Sequence, residues 1–402
     1  VLVIRKVDGR LMQRANRAMV LELVRNDPAL SRAAIVRRTG LSPATVSGII
    51  DHLLREGFIR EEGAEVTGLV GRRPLRLAFN SDARYALGID VDVDAVSAAL
   101  VDLGGRPGKV YRATVPAGTS PTQVLDLAAA IARQAIQDAP AKMVLGVGMA
   151  IPGMVQWPQG INLFSPNYGW RNVPVRALME ERLGRPVLAD NEVRAVALAE
   201  HRFGVARQAR TVVFLDVGMG VGGAVILDGS LYRGVHGAAG EMGHNTVEPN
   251  GPLCGCGNRG CLEVFCSVRG LVARVVDALA LGRSSVLADV PTQELTVAHL
   301  ARAAAAGDDL ARELLARAAT FLGLAVANAV DNWDPELVVL SGPVIREGAD
   351  LFEQLLAEEQ RTVLETGRVG VRVTRAVLDE HAKIIGAATL VIAESLAAPF
   401  PG

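Results

Sequence analysis

The stretch Gly234-Val-His-Gly-Ala-Ala-Gly-Glu-Met-Gly-His244, followed by Cys254-Gly-Cys256 and by Cys261-Leu-Glu263, carries the densest chemistry in the chain. One imidazole and three thiols, at His244, Cys254, Cys256 and Cys261, form the donor set of a closed tetrahedral zinc site. Gly255, Gly257 and Gly260 let the backbone turn around an ion. Four protein ligands leave no open position, so the expected cofactor is structural Zn2+. The remaining cysteine, Cys266, stands outside this spacing and reads as a buried core thiol. All four cysteines lie between positions 254 and 266, too close together for a disulfide framework.

Around this motif lie 402 residues at net charge −1, half of them hydrophobic and only 21% charged, which excludes disorder as the main state. At roughly 100 to 200 residues per domain the length predicts about two to four domains. No run approaches the ~18 uninterrupted apolar residues of a membrane span, and Val1 to Arg10 carries Arg5, Lys6 and Asp8 with no apolar region behind them. A cytoplasmic protein without a membrane partner is expected. Charge is unevenly spread: residues 1–80 carry 14 Arg and Lys against 8 Asp and Glu, leaving the other 322 residues at −7. A basic head on an acidic body suggests a polyanion partner for the head.

The head has a helical pattern. Met19, Val20, Leu23 and Val24 give the apolar face of a first helix that stops at Asn26-Asp27-Pro28. Ser31 is a good N-cap for a second helix that ends at Thr39-Gly40. Ser42 then caps a third, with Pro43 at its first position; this one buries Val46, Ile49, Ile50, Leu53 and Leu54, and Gly57 closes it. Two short helices joined by a glycine turn make a helix-turn-helix. Its polar face presents Thr45, Ser47, Gly48 and His52 beside Ser42, groups suited to phosphates and base edges. Phe58 to Glu61 and Leu75 to Phe79 predict a two-stranded wing whose tip, Gly71-Arg72-Arg73-Pro74, sends paired arginines toward a narrow minor groove. The expected partner is DNA; the alternative is a winged helix used for protein contacts.

Beyond Asn80 the pattern becomes α/β. Tyr85 to Asp94, Ala95 to Asp102, Val110 to Val115 and Met143 to Met149 read as strands, with an amphipathic helix at 122–137. A similar strand-turn-strand opening returns at Thr211 to Leu227, which suggests a duplicated fold with a cleft between lobes.

The Gly234 to Glu263 motif, the glycine loop Gly218-Met-Gly-Val-Gly-Gly223, the segment Asp190-Asn-Glu-Val-Arg-Ala-Val-Ala-Leu-Ala-Glu200 and the winged-helix head together resemble the ROK family of bacterial sugar repressors and sugar kinases. The resemblance extends over nearly the whole chain. It implies an actin-like, ribonuclease H-type, two-lobed α/β body behind a winged helix-turn-helix at residues 1–80. The first lobe would take residues 81–193 plus 380–402, and the second residues 194–379. It also implies a sugar held by Glu241 and His244 of the Glu-x-Gly-His pair, by Glu263, by Asn191, and by the backbone at Gly153, with Asn167 a further candidate. Carboxylates and amides suit vicinal hydroxyls, and a site built on such bonds rejects sugars that lack them. His244 would place one ring nitrogen on zinc and the other on a sugar hydroxyl.

The chain departs from the family's kinases on the phosphate side. Where they carry Asp-x-Gly-Gly-Thr, it has Asp90-Val-Asp92-Val-Asp94, whose carboxylates and Cβ atoms oppose a nucleotide. Glu192 stands at the position of the catalytic Asp, Arg194 at that of the second Asn, and Met219 at that of a loop Thr. Displacing a carboxylate by about an ångström costs roughly a hundredfold in rate. The expected function is therefore a sugar-responsive transcription repressor that binds operator DNA and a sugar effector without efficient phosphorylation, nucleoid-associated when on its operator. The alternative is an ATP-dependent sugar kinase with an appended DNA-binding head. A homodimer or homotetramer is expected, because one recognition helix reads few base pairs.

Overall fold

Local capping shapes the head of the computed structural model, which describes residues 9–27, 30–64, 75–140, 143–165, 168–348, 350–364, 370–378 and 381–397. Helices α1 (Gly9–Asn26), α2 (Arg32–Thr39) and α3 (Pro43–Arg55) come first. Ser31 accepts from the Ala34 amide at the start of α2, and Gly40 closes that helix in the left-handed region at φ +68°. Ser42 accepts from the Thr45 amide to cap α3, with Pro43 in its first turn. Strands β1 (Ile59–Ala64) and β2 (Leu75–Phe79) pair antiparallel, Ile59 opposite Phe79, to form the wing. The apolar face of α1 is rotated by one position from the expected one. Val20, Leu21 and Val24 are buried while Met19 is 44% exposed, because the i, i+1, i+4 set is the one facing the core. Leu54 is only half-buried, so α3 contributes Val46, Ile49, Ile50 and Leu53.

A short joint follows β2. The Asn80 amide donates to Phe58 O at 2.9 Å and its side chain to Gly57 O at 2.8 Å. Arg84 lies 3.4 Å from Glu56 and 5.0 Å above the Phe58 ring, while the Leu103 amide donates to Ser81 O at 3.0 Å. The chain divides into two compact units. One holds Val1–Met149, Ala177–Leu188 and Ala387–Gly402; the other holds Ala150–Arg176 and Ala189–Gly386. The head thus shares its unit with the first α/β sheet.

That sheet is built from β3 (Tyr85–Val91), β4 (Ala95–Asp102), β5 (Tyr111–Thr114), β6 (Val144–Ile151) and β10 (Val187–Asn191), with α4 (Pro121–Ile136) between β5 and β6. Between β6 and β10 lie a three-stranded sheet of β7 (Met154–Gln156), β8 (Ile161–Ser165) and β9 (Trp170–Val173), and then α5 (Val175–Leu183). Helix α6 (Glu192–Phe203) leads into β11 (Val212–Val217), β12 (Val221–Leu227) and β13 (Ser230–Tyr232). After the cysteine loop come α7 (Glu263–Cys266), α8 (Val268–Ala280), α9 (Val297–Ala305), α10 (Asp309–Trp333), β14 (Leu337–Ser341), α11 (Pro343–Glu347), α12 (Leu351–Thr362), β15 (Arg372–Arg375) and α13 (Ala382–Ala397).

The two five-stranded sheets run β5-β4-β3-β6-β10 and β13-β12-β11-β14-β15. Both therefore read third, second, first, fourth, fifth in order of appearance, and in both the first three strands form an antiparallel meander. This shared order is the duplicated α/β body. Helix α10 is long and apolar enough to cross a membrane, but Leu315, Ala318, Leu322 and Val326 are buried with Leu215, Val338 and Leu340. It is a core helix.

Candidate functional site

On the head, Ser42, Thr45 and Gly48 are exposed and Ser47 is half-buried along α3. Ser42 Oγ caps the helix and lies 2.8 Å from Thr45 Oγ1, so these hydroxyls hold each other in place. His52 is half-buried, and burial followed by the charge of Arg17 lowers its pKa. Asp51, unremarked in the sequence, is held at 2.8 Å by Arg32, which also reaches Glu61 at 3.3 Å. This ties α2 to α3 and to the wing. Arg72 and Arg73 lie outside the described residues.

In the second unit, the 3-10 turn Met242–His244 and the cysteine loop bring one imidazole and three thiols together, their ligand atoms all within 4.8 Å of one another. Cys254 Sγ is 3.7 Å from His244 Nδ1, and Cys256 Sγ is 3.7 Å from Cys261 Sγ. Tetrahedral zinc with bonds of about 2.3 Å to sulfur separates its sulfurs by about 3.8 Å, so the spacing fits such an ion. The Cys254 amide donates to Asn258 O at 2.7 Å and the Gly260 amide to Pro252 O at 2.8 Å, which folds the loop back on itself. Gly260, at φ +64°, admits no side chain, since a Cβ would lie 1.5 Å from Glu248 O. Burial pushes the Cys261 thiol up to about 12, with the neighbouring thiols adding to it. Cys254 is also raised, chiefly by burial, whereas at Cys256 the Asn258 amide and the other two thiols outweigh burial and lower the pKa. A divalent cation would favour the thiolate form of all three. Cys266 is buried and donates to Ala318 O, apart from the cluster.

The expected sugar residues converge from four segments of the same unit. The His244 amide donates to Glu241 O at 3.1 Å, so one turn carries both side chains. Burial raises the pKa of the Glu241 carboxyl; His244 and Arg194 oppose the shift and Glu263 reinforces it, so these groups lie within each other's fields. Glu263 Oε2 accepts from the Val221 amide at 2.9 Å, and a Cβ at Gly220 would lie 2.5 Å from that oxygen. The carboxylate therefore also anchors the glycine loop. Asn191 Oδ1 caps α6 by accepting from the Val193 and Arg194 amides, and its Nδ2 donates to Gly153 O at 2.9 Å. One amide proton is left for a ligand. Gly153 has φ +96°, and a Cβ there would lie 2.3 Å from Phe164 O. Asn167 lies outside the described residues.

Three features at this site were not assigned a role from the sequence. Lys383 is 2.6 Å from Glu192 Oε2, so that carboxylate is ion-paired. Asp190 is fully buried between Arg233 at 2.7 Å and Arg194 at 3.4 Å, and Arg233 stacks 4.0 Å from the Trp157 ring. An arginine inside the apolar run Val193 to Ala199 was the available signal for the second feature; nothing near Glu192 pointed to Lys383. In the first unit, β3 and β4 join through a turn in which the Val93 amide donates to the Asp92 carboxylate and Asp94 is exposed. Met219 is 54% exposed in the glycine loop, and its carbonyl accepts from Arg269 at 3.0 Å.

The ROK family model matches residues 86–394 and the MarR family model residues 12–68. The xylose repressor of Caldicellulosiruptor bescii is 31% identical over 398 residues, 97% of this chain and 98% of that protein. Among solved structures, a ROK family transcriptional regulator described as a homolog of the E. coli MLC protein superposes with TM-score 0.84 at 26% identity, over 96% of this chain and 97% of that one. A ROK hexokinase from Thermus thermophilus superposes with TM-score 0.66 at 32% identity, covering 77% of this chain and 98% of its own. With a matching family model over most of its length and a full-length relative above 30% identity, the chain belongs to the ROK family.

Proposed function

We propose that this protein is a sugar-responsive transcriptional repressor, a DNA-binding regulator rather than an efficient kinase. The observation that carries the reading is coverage: the repressor relative and the regulator structure correspond to head and body together, whereas the hexokinase corresponds to 77% of the chain. The winged helix at residues 1–80 would bind operator DNA through Ser42, Thr45, Ser47, Gly48, His52, Arg72 and Arg73. The body would divide into lobes of residues 81–193 with 380–402 and of 194–379. Glu241, His244, Glu263, Asn191 and Gly153, with Asn167 and Glu192, would bind the effector sugar.

Zn2+ held by His244, Cys254, Cys256 and Cys261 would supply structural charge neutralisation for three thiolates. With Nδ1 on the metal, the His244 ring would carry its proton on Nε2 and donate it to a hydroxyl. Glu241 accepts from hydroxyls on the same turn. Phosphoryl transfer is disfavoured because the Glu192 carboxylate is held by Lys383 and the Asp90 to Asp94 turn carries acids where phosphates would approach. A cytoplasmic, nucleoid-associated homodimer or homotetramer would place two heads on half-sites about one helical turn apart, or a multiple of it. The test is a footprint of the upstream DNA with and without aldopentoses, aldohexoses and N-acetyl sugars. Symmetric protection that changes with one sugar is expected; protection indifferent to every sugar that binds would refute the reading.

A further inference from the structure

We propose that Asp51 is a specificity-determining residue of the DNA-binding head, its free carboxylate oxygen accepting from the exocyclic amino group of one cytosine in the major groove, with Arg32 as the residue that positions it. The inference rests on the DNA-binding repressor reading above. Helix α3 turns Val46, Ile49, Ile50 and Leu53 into the core. Ala44, Thr45, Gly48, Asp51 and Arg55 lie exposed on the opposite side, at the three- and four-residue spacing of one helical face. Asp51 thus stands one turn beyond Gly48, where nothing lies within 4 Å of the position a Cβ would take. The Asp51 side chain is 58% exposed, so a base edge can reach it.

A carboxylate in the middle of a helix face that meets a polyanion lowers general affinity. Arg32 nevertheless holds it there. This first residue of α2 donates from Nη1 to Asp51 Oδ1 at 2.8 Å and from Nη2 to Glu61 Oε1 at 3.3 Å. Glu61 belongs to wing strand β1, so one planar guanidinium spans the recognition helix and the wing. The two bonds fix the Asp51 carboxylate before DNA arrives, which reduces the ordering cost of a contact. Asp51 Oδ2 accepts no hydrogen bond among the described residues. An ionised carboxylate is acceptor-only. In the major groove the N7 and O6 acceptors of guanine and the O4 of thymine repel it, and adenine sets N7 beside its amino group; cytosine offers its N4 amino group with no adjacent acceptor. The base selected is therefore cytosine. The cluster carries two acids against one cation, which unsuits it to clamp a phosphate. Its use is discrimination, favouring one base edge while opposing loose binding along the backbone.

The experiment is selection from a randomised duplex DNA library by the full-length wild type, Asp51→Asn, Asp51→Ala and Arg32→Met, followed by affinity measurement on single-base variants of the enriched sequence. Melting curves show that each variant is folded. The wild type should enrich half-sites with one cytosine whose replacement costs about 10-fold or more in affinity. In Asp51→Ala that preference should vanish at that position alone. Asp51→Asn, whose amide suits adenine, should move it toward adenine. Arg32→Met should weaken the same preference by about threefold and leave the other positions as they are; should it not fold, the Asp51 variants carry the comparison. An enriched sequence unchanged in both Asp51 variants overturns the proposal. A uniform rise in affinity for every duplex makes Asp51 an electrostatic brake, and a uniform loss makes it a structural tie; either result overturns the proposal too. A cytosine preference untouched in folded Arg32→Met removes Arg32 as the positioning residue. If the wild type enriches no sequence, the DNA-binding reading falls and takes this inference with it.

Discussion

Replacing Asn80 and Arg84 together by alanine loosens the joint between the recognition helix and the first sheet without touching any DNA or sugar residue. Glu56 is the C-cap of α3, with Gly57 and Phe58 next in the chain, so both side chains grip the end of the recognition helix. The Asn80 bond to Gly57 O at 2.8 Å is worth about 1 kcal/mol. The Arg84 contact with the Phe58 ring at 5.0 Å adds about 0.5 kcal/mol. The partly exposed ion pair with Glu56, at 3.4 Å, adds about 0.5 kcal/mol more. The total of about 2 kcal/mol lies within the typical allosteric coupling of ~1 to 3 kcal/mol and corresponds to about 30-fold in an equilibrium constant. The backbone bond from Asn80 to Phe58 O survives, so the head stays attached. Fluorescence anisotropy with labelled operator should find sugar-free affinity within about threefold of wild type, because surface contacts away from the DNA add little. The change in affinity on adding the effector should shrink by as much as about 30-fold. A double variant with the full wild-type response would refute the idea that this joint transmits the signal.

Other outcomes follow from single features. Elemental analysis should find one zinc per chain, and Cys256→Ala should lose it together with sugar binding; full metal content in that variant would contradict the His/Cys3 assignment. With ATP, Mg2+ and a sugar panel, ADP release should stay well below the ~1 to 100 per second of ordinary kinases; turnover in that range would restore the kinase alternative. Asp102 has its pKa raised by burial, against the pull of the Arg106 and Gly104 amides. Its contribution to stability is therefore full below the unfolded value of 3.8 and is lost as pH rises through the higher folded value. Asp102→Asn should remove that component from a stability-versus-pH curve, and a superimposable curve would count against it. Gly260→Ala should cost at least about 2 kcal/mol by thermal melt, since the new Cβ would clash with a backbone carbonyl 1.5 Å away; a wild-type melting temperature would show the loop to be more yielding than described.

Reading the chain alone went furthest where the physics is local. Ser31 with Gly40, and Ser42 with Pro43, announce the limits of α2 and α3, because a cap is an exchange of hydrogen bonds among residues a few positions apart. The His244, Cys254, Cys256 and Cys261 set is likewise short-range, and ligand chemistry constrains it strongly. Met19 shows the limit even in a helix: apolar residues at neighbouring positions offer two faces a fraction of a turn apart, and only the partner surface decides between them.

What the sequence by itself determined, then, is a winged helix-turn-helix head, an α/β body of repeated design, a candidate metal set and, by resemblance, candidate departures from the kinase pattern at Glu192, Arg194 and Asp90 to Asp94. The tertiary structure decided how each polar group is committed. Asn191 reads as a sugar ligand and is also the cap of α6; Glu263 also holds the Val221 amide; Glu192 is paired with Lys383 from the far end of the chain. Arg194, visible only as a substitution, becomes a buried bolt between Val155 and Gly237. The physical reason is that a side chain's charge and donors are known from its chemistry, whereas the partners that use them up are brought near by packing of segments distant in sequence, which no local pattern records.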